Sequence, residues 1–283
     1  MKACSNYLKI STLILAFLFL GCDSDDDGDL VIDDPVEVNA IVYDLNEVGE
    51  SGVNGTATFI ELSDGTVTIE LDLTGTPDGG QHPAHIHFNT AAEGGDIALT
   101  LGTVDGNTGE STINVTEFDD GTPLTYEELI LYDGYINVHL SSEELATIVA
   151  QGDIGQNDLT GDFVAYDLLE VDGSGVSGEV IFEERVNGTA LATIALTGTP
   201  EGGMHPAHIH ENDIVEGGGI IVSFNMVDGD TGMSKTQISQ FDDGSPLGYL
   251  DILVLDGYVN IHLSADQLEV VVAQGNIGIN ETL

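Results

Sequence analysis

The chain has 283 residues, which is more than one small domain needs and fits two domains of ordinary size. It carries 50 acidic and 4 basic side chains, a formal net charge of -46, so it lacks the clustered Lys and Arg that nucleic-acid binding by phosphate neutralisation requires. Strong charge can also indicate disorder, but 41% hydrophobic residues are enough for a core, and we expect a folded acidic protein that binds no nucleic acid.

The first 22 residues have the pattern of a targeting segment. Lys2 and Lys9 accompany an apolar run from Ile10 to Leu20, which is shorter than a membrane-spanning helix. The segment ends in Leu18-Phe19-Leu20-Gly21-Cys22, which resembles the lipobox of bacterial lipoproteins. The resemblance implies a signal peptide over 1–22 and lipidation of Cys22. An ordinary secretory signal is the alternative.

An acidic stretch follows Cys22, and we interpret 23–36 as a solvated linker. The part from Asp23 to Asp29 resembles the acidic signal that sends some lipoproteins to the outer face of the outer membrane. This implies a surface-exposed protein that is lipid-anchored in the bacterial outer membrane and has an unidentified surface or extracellular partner. Because Cys4 and Cys22 are the only cysteines, we expect no disulfide, thiolate nucleophile or Cys-based metal site in the mature chain.

The rest of the sequence is a duplication. Tyr43-Asp44-Leu45 returns as Tyr166-Asp167-Leu168, and Phe118-Asp119-Asp120-Gly121 returns as Phe241-Asp242-Asp243-Gly244, in both cases after 123 residues and with no gap between 43 and 155. A period of this length is a whole domain and not a solenoid unit. We predict one domain over 37–157 and a second over 160–283, with a short polar joint that keeps them close together.

Each unit has the pattern of a β protein. Alternating or β-branched stretches predict strands over 56–60, 66–71, 97–101 and 135–140, with Gly-rich turns between them. We therefore predict an all-β protein of two tandem antiparallel Greek-key or immunoglobulin-like β-sandwich (barrel) domains. A short helix is also predicted after the last long strand, because 141–144 and 264–267 both fit a capping box.

Histidines occupy matching places in the two units. His82, His85, His87 and His139 return after 123 residues as His205, His208, His210 and His262, and the chain has no other histidine. Residues i and i+2 of a strand share a face about 6.5 Å apart, so His85 and His87 lie opposite the apolar Ile86. By the same rule His139 lies opposite Ile136 and Val138. All these rings are therefore expected to point away from the core.

Three such histidines, two of them in a His-x-His pair, are typical of a metal site. We predict one copper or zinc ion per domain, because imidazole suits both ions and Cys ligands are absent. The predicted ligands are His85, His87 and His139 in the first unit and His208, His210 and His262 in the second. Structural or supporting roles are predicted for His82, His205, Tyr135, Asn137, Tyr258 and Asn260. A hydrogen-bonded histidine cluster that stiffens the sandwich is the alternative, and the sequence leaves both open.

The order of motifs in each unit resembles the chordin-type (CHRD) domain of microbial secreted proteins. The motifs are His85-Ile86-His87, Tyr135-Ile136-Asn137-Val138-His139 and the closing stretch from Gln151 to Gly155. The resemblance covers nearly all of each repeat. It implies a binding or scaffold module, since the family has no generally assigned enzymatic activity.

A narrower resemblance is to Cu/Zn superoxide dismutases, whose His-x-x-His-x-His motif lies on a Greek-key barrel. It implies copper ligation by the same three histidines of each unit and a structural role for His82 and His205. However, no histidine lies between His87 and His139 to bind zinc, and Arg185 is far from the closing strand. The acidic field would also repel superoxide. We predict no catalytic residues; a copper-dependent dismutase-like redox protein and a metal-free adhesion domain are the alternatives.

Overall fold

The structure, a computed structural model, describes residues 34–281. The predicted signal peptide, Cys22 and the acidic linker up to residue 33 lie outside these residues. The described chain is nearly all β, with one antiparallel sheet built from its first half and a second built from its second half. The prediction of an all-β protein with two sandwich- or barrel-like antiparallel units is confirmed.

The first unit contains eight strands and a short helix. They are β1 (Glu37–Glu47), β2 (Asn54–Leu62), β3 (Val67–Thr74), β4 (Gln81–Phe88), β5 (Ile97–Asp105), β6 (Glu110–Val115), α1 (Tyr126–Ile130), β7 (Asp133–His139) and β8 (Ile148–Gly155). The second unit contains β9 (Leu159–Glu170), β10 (Ser177–Arg185), β11 (Ala190–Thr197), β12 (Met204–His205), β13 (Ala207–Glu211), β14 (Ile220–Ser223), β15 (Val227–Asp228), β16 (Met233–Ile238), α2 (Tyr249–Ile252), β17 (Asp256–His262) and β18 (Val271–Gly278).

Both sheets are curled and share a connectivity. The first has the order β5-β4-β7-β8-β1-β2-β3-β6, so the chain crosses from one end of the sheet to the other between β3 and β4. The second has the order β12-β15-β16-β11-β10-β9-β18-β17-β13-β14. There the counterpart of β4 is divided at Pro206 into β12 and β13. Because these two segments are contiguous but lie near opposite ends of the strand order, the second sheet closes on itself.

The core of each unit lies inside the curled sheet. Tyr43, Phe59 and Ile86 belong to the first core, and Tyr166 and Ile209 belong to the second. Successive residues of a strand point to opposite faces, so a core residue fixes the direction of its neighbours. Burial of Ile86 and Ile209 therefore sends the flanking histidines to the outer face of each sheet.

The prediction of a helix after the last long strand is wrong in position. Residues 141–147 form two successive turns, in which Glu144 N–H donates to the Ser141 carbonyl and Thr147 N–H donates to the Glu144 carbonyl. Residues 264–270 repeat these turns. The short helices instead precede β7 and β17, and Thr125 forms the capping box of α1 with Glu128. Neither helix within residues 34–281 is long and apolar enough to cross a membrane.

The turns at 141–147 have a consequence for His139. They direct the Leu145 carbonyl toward the ring, with the oxygen 2.6 Å from Nδ1 of His139. A carbonyl in a helix would instead point along the helix axis toward its own i+4 amide. The local capping signal therefore does not produce a helix here, and the Leu145 carbonyl bonds a buried side chain instead.

A short connection brings the two units into contact. The first sheet ends at Gly155 and the second begins at Leu159. Val186, in the β10–β11 turn, donates its N–H to the Asp158 carbonyl of this connection. Nearby, Arg185 of the second unit is 0% exposed and forms an ion pair with Asp153 of the first.

Candidate metal centre

The two strands that carry the first set of histidines are neighbours. β4 and β7 pair antiparallel, with His85 opposite Asn137 and His87 opposite Tyr135. His139 lies two residues beyond Asn137 on the same face, which brings its ring next to that of His85. The sequence could not establish this adjacency, on which the predicted site depends.

The three rings of the first unit converge. The centroid of the His85 ring is 5.1 Å from that of His139 and 6.0 Å from that of His87, and the last two are 6.3 Å apart. One ligand nitrogen of each ring lies within 4.8 Å of those of the other two. These histidines, which we call the first triad, are therefore close enough to hold one metal ion.

The second unit repeats the arrangement. β13 pairs with β17, and the centroid of His208 is 5.0 Å from that of His262 and 6.0 Å from that of His210. The ligand nitrogens of the three rings again lie within 4.8 Å of one another. We call these three residues the second triad. The predicted ligands are thus brought together in both units.

Backbone carbonyls fix two imidazoles of the first triad. Nδ1 of His87 is 3.0 Å from the Gly95 oxygen, and Nδ1 of His139 bonds the Leu145 oxygen. A carbonyl oxygen only accepts, so each Nδ1 carries the proton and each Nε2 keeps a free lone pair. A carbonyl behind the ring is a common second partner of a metal-ligating histidine. In the second triad, Nδ1 of His210 lies 3.1 Å from the Gly218 oxygen.

Several buried ring nitrogens have no hydrogen-bond partner. In the first triad they are Nδ1 of His85 and Nε2 of His87 and His139. In the second they include Nδ1 of His208 and Nε2 of His210 and His262. Each unpartnered buried polar group costs about 1–3 kcal/mol. One shared metal ion satisfies three of them at once, and a set of three imidazoles without thiolate or carboxylate fits copper or zinc.

The triads are more enclosed than a surface cluster. His87 is 8% exposed and His139 is 5% exposed, while His85 is half-buried. Although the rings lie on the outer face of the sheet, the loops 89–96 and 140–147 reach them with their carbonyl oxygens. His85 therefore marks the side of the first triad that is nearest to solvent.

Burial also favours the neutral form of four of these imidazoles. It is the main cause that lowers the pKa of His85, of His139 and of His262. It lowers the pKa of His208 to about 4, and the neighbouring His262 and His210 add to this effect. Neutral imidazole is the form that binds a metal, so binding near pH 7 releases few protons from these rings.

The metal-free protein should therefore lose stability in acid partly through His208. The unfolded ring takes up a proton near its ordinary pKa of 6.5, and the folded ring does so only at about 4. Between these values the unfolded state binds more protons, so this contribution to stability falls as the pH falls. We expect the unfolding temperature of His208→Gln to drop less between pH 7 and pH 4.5 than that of the wild type, both measured in chelator. An equal drop would contradict the lowered pKa.

Two tyrosines that were predicted as supporting residues contact the triads. The ring of His87 stacks on Tyr135 and that of His210 on Tyr258, with centroids 5.0 Å apart and 19° between the planes in both cases. The Tyr258 hydroxyl also accepts a hydrogen bond of 3.3 Å from Gly218 N–H. Tyr258 thus contacts both the ring of His210 and the residue whose carbonyl orients it.

Replacing Tyr258 by Phe should weaken only the second site. The stacking on His210 remains, but the bond that holds Gly218 is lost, so the ring is less well oriented. Loss of such a supporting partner costs 10- to 100-fold in metal affinity, and we expect about 10-fold here. Separate titrations of the two sites measure it, with Tyr135→Phe as the matched variant in the first unit. Equal weakening of both sites by either variant would contradict this role.

The other candidates lie outside the triads. His82 and His205 are each 1% exposed, and Nδ1 of His205 lies 3.2 Å from the His262 carbonyl, behind the third ligand. Asn137 accepts a hydrogen bond from Gln151 at 2.7 Å and not from an imidazole. Asn260, at the corresponding place, has a buried Oδ1 without a partner.

A carboxylate that the sequence analysis did not single out lies beside each triad. Asp119 accepts from the N–H and the hydroxyl of Thr100, at 3.0 and 2.8 Å, and Thr100 pairs with His85 across the sheet. The negative charge of Asp119 partly offsets the lowering of the His85 pKa. Asp242 has the same place beside His208. The duplicated Phe-Asp-Asp-Gly motif was the available signal, whereas the carbonyl partners have no signal in sequence.

No protein-family model matches the chain, and a search of curated proteins finds no match. The functional interpretation therefore depends on the two triads themselves.

Proposed function

We propose that the protein binds one copper or zinc ion in each domain, through the first and second triads. It would act as a binding or scaffold module and not as a catalyst. The observation that carries this proposal is the set of three convergent imidazoles with buried, unpartnered nitrogens, present in both units.

The hydrogen-bonded histidine cluster, the main alternative, fits these contacts less well. In such a cluster the rings would donate and accept among themselves. Here the carbonyls of Gly95 and Leu145 bond the outer nitrogens of His87 and His139, and the facing nitrogens stay unpartnered. A metal ion explains both the outer bonds and the free inner lone pairs.

Metal analysis of the chain from residue 23 onward tests the proposal. After loading with copper or zinc and dialysis, we expect two tightly bound ions per chain. Magnesium serves as the control, because it prefers oxygen ligands and reports binding to the many surface carboxylates. A folded, metal-free protein that takes up neither copper nor zinc would reject the proposal.

A redox function is the second candidate, and one observation favours it. Three imidazoles leave an open coordination position, and His85 is the half-buried member of its triad. Against it, Arg185 and Lys235 are the only basic residues after Cys22, so no positive field attracts an anion such as superoxide. Copper-loaded protein with dismutase activity above that of free copper would support this candidate, and activity no greater would count against it.

The family resemblance and the location are also proposals. Two CHRD-like domains on a lipid anchor at the bacterial outer membrane would present both metal sites to a surface or extracellular partner. The supporting features are the motif order of the duplicated units and the lipobox-like segment at Cys22. Labelling with palmitate tests the anchor, and label that persists in Cys22→Ser would reject it.

A further inference from the structure

Arg185 joins the two domains at a point that also supports the first triad. Its Nε donates to Oε1 of Gln237 at 2.7 Å, within the second unit. Its Nη1 donates to Oδ2 of Asp153 at 2.7 Å, on β8 of the first unit, and to the carbonyl of Asn157 in the connection. The guanidinium is fully buried, so protein groups and not bulk water must compensate its charge.

Asp153 uses its other oxygen to hold the loop that contacts the first triad. Oδ1 accepts from Ala91 N–H at 2.7 Å, in the loop 89–96. The same loop supplies the Gly95 carbonyl that fixes Nδ1 of His87. A continuous set of contacts therefore runs from Arg185 of the second domain through Asp153 and the loop to a predicted ligand of the first.

The loop 89–96 also lies against the second domain directly. Nδ2 of Asn225 is 3.5 Å from the Ala92 carbonyl. Glu93 lines a cleft of about 350 Å³ together with Ser223 and Asp242. The corresponding loop of the second unit is open to solvent at the same point, since Val215, the counterpart of Ala92, is 92% exposed.

The second unit shows how the loop is held without an arginine. Asn276 takes the place of Asp153, and its Oδ1 accepts from Ile214 N–H at 3.1 Å. At the place of Arg185 the first unit has Leu62. An amide oxygen is thus sufficient to hold this loop, and the carboxylate of Asp153 in addition pairs with Arg185.

We propose that Arg185 is a positioning residue that makes the first metal site depend on the second domain, whereas the second site is independent. The inference rests on the proposed function. Without Arg185, the Asp153 carboxylate, whose side chain is 11% exposed, would have no counter-charge. It would turn toward water, and Ala91 N–H would lose its partner. His87 would then be held less well.

Two variants that use the protein's own residues test this. Arg185→Leu installs the residue of the first unit, and adding Asp153→Asn installs that of the second. Copper affinity of the first site is titrated with the second triad removed by His208→Gln and His210→Gln, and that of the second site with His87→Gln. We expect Arg185→Leu to lower the affinity of the first site about 10-fold and to leave the second unchanged. The double variant should restore most of the loss.

Amide exchange of Ala91 in the metal-free protein provides a readout that needs no metal. Protection should fall in Arg185→Leu and return in the double variant. Unchanged affinity of the first site, equal losses at both sites, or no rescue would overturn the inference. If the wild type binds no copper or zinc, the proposed function fails, and Ala91 exchange still decides whether Arg185 positions the loop.

Discussion

His87→Gln should reduce the number of tightly bound copper or zinc ions from two per chain to one. The residue supplies one of only three ligands, and its neighbours cannot replace it because Tyr135 stacks against the ring and the carboxylate of Asp119 is bonded to Thr100. The loss at the first site should exceed the 10- to 100-fold that removal of a supporting partner costs. Metal analysis after dialysis measures the stoichiometry, and titration measures the affinity.

The duplication supplies matched controls for this experiment. His210→Gln should remove the ion of the second site and leave the first intact, and combining both substitutions should leave no tightly bound ion. Glu127→Gln changes an exposed carboxylate on α1 and should leave both ions bound. Two tightly bound ions in the doubly substituted protein would mean that the metal lies elsewhere.

Metal binding should stabilise the folded protein. An ion that binds only the folded state adds about 4 kcal/mol per site when its free concentration is 1,000 times the dissociation constant. The triads are built from strands distant in sequence, so the unfolded chain does not retain them. Thermal unfolding with and without copper or zinc should therefore show a rise in unfolding temperature that chelator reverses.

The rise in unfolding temperature should depend on intact triads and not on the net charge of the protein. Any cation screens the repulsion among the acidic side chains, and that contribution will be shared by all variants and reproduced by magnesium. The additional rise with copper or zinc should be roughly halved in His87→Gln and absent when His210→Gln is added. A rise of equal size in all variants would indicate screening alone.

Much of this arrangement was predictable from local sequence. The two-residue period of a strand placed His85 and His87 on one face and Ile86 on the other, and the duplication showed that the pattern occurs twice. The fold class followed from the density of short strands and turns. These features depend on neighbours in sequence, which is why they could be predicted.

Other features depend on neighbours in space. That β4 lies beside β7, so that His139 meets His85, is a property of the whole topology. The Leu145 carbonyl that orients His139 has no signal in sequence, since every residue has a carbonyl. The capping pattern at 141–144 predicted a helix because it records only local preference, whereas these residues form turns from which the Leu145 carbonyl bonds His139. Nothing in the sequence connected Arg185 with the first triad, and the contacts through Asp153 and the loop 89–96 became visible only in the structure.

Anomalous diffraction from crystals of the copper- or zinc-loaded protein tests the central claim most directly. We expect one strong peak per domain, bounded by His85, His87 and His139 in the first and by the second triad in the other, with nitrogen distances of about 2.0–2.1 Å as for zinc–imidazole bonds. Peaks confined to surface carboxylates, with both triads free of metal, would contradict the claim.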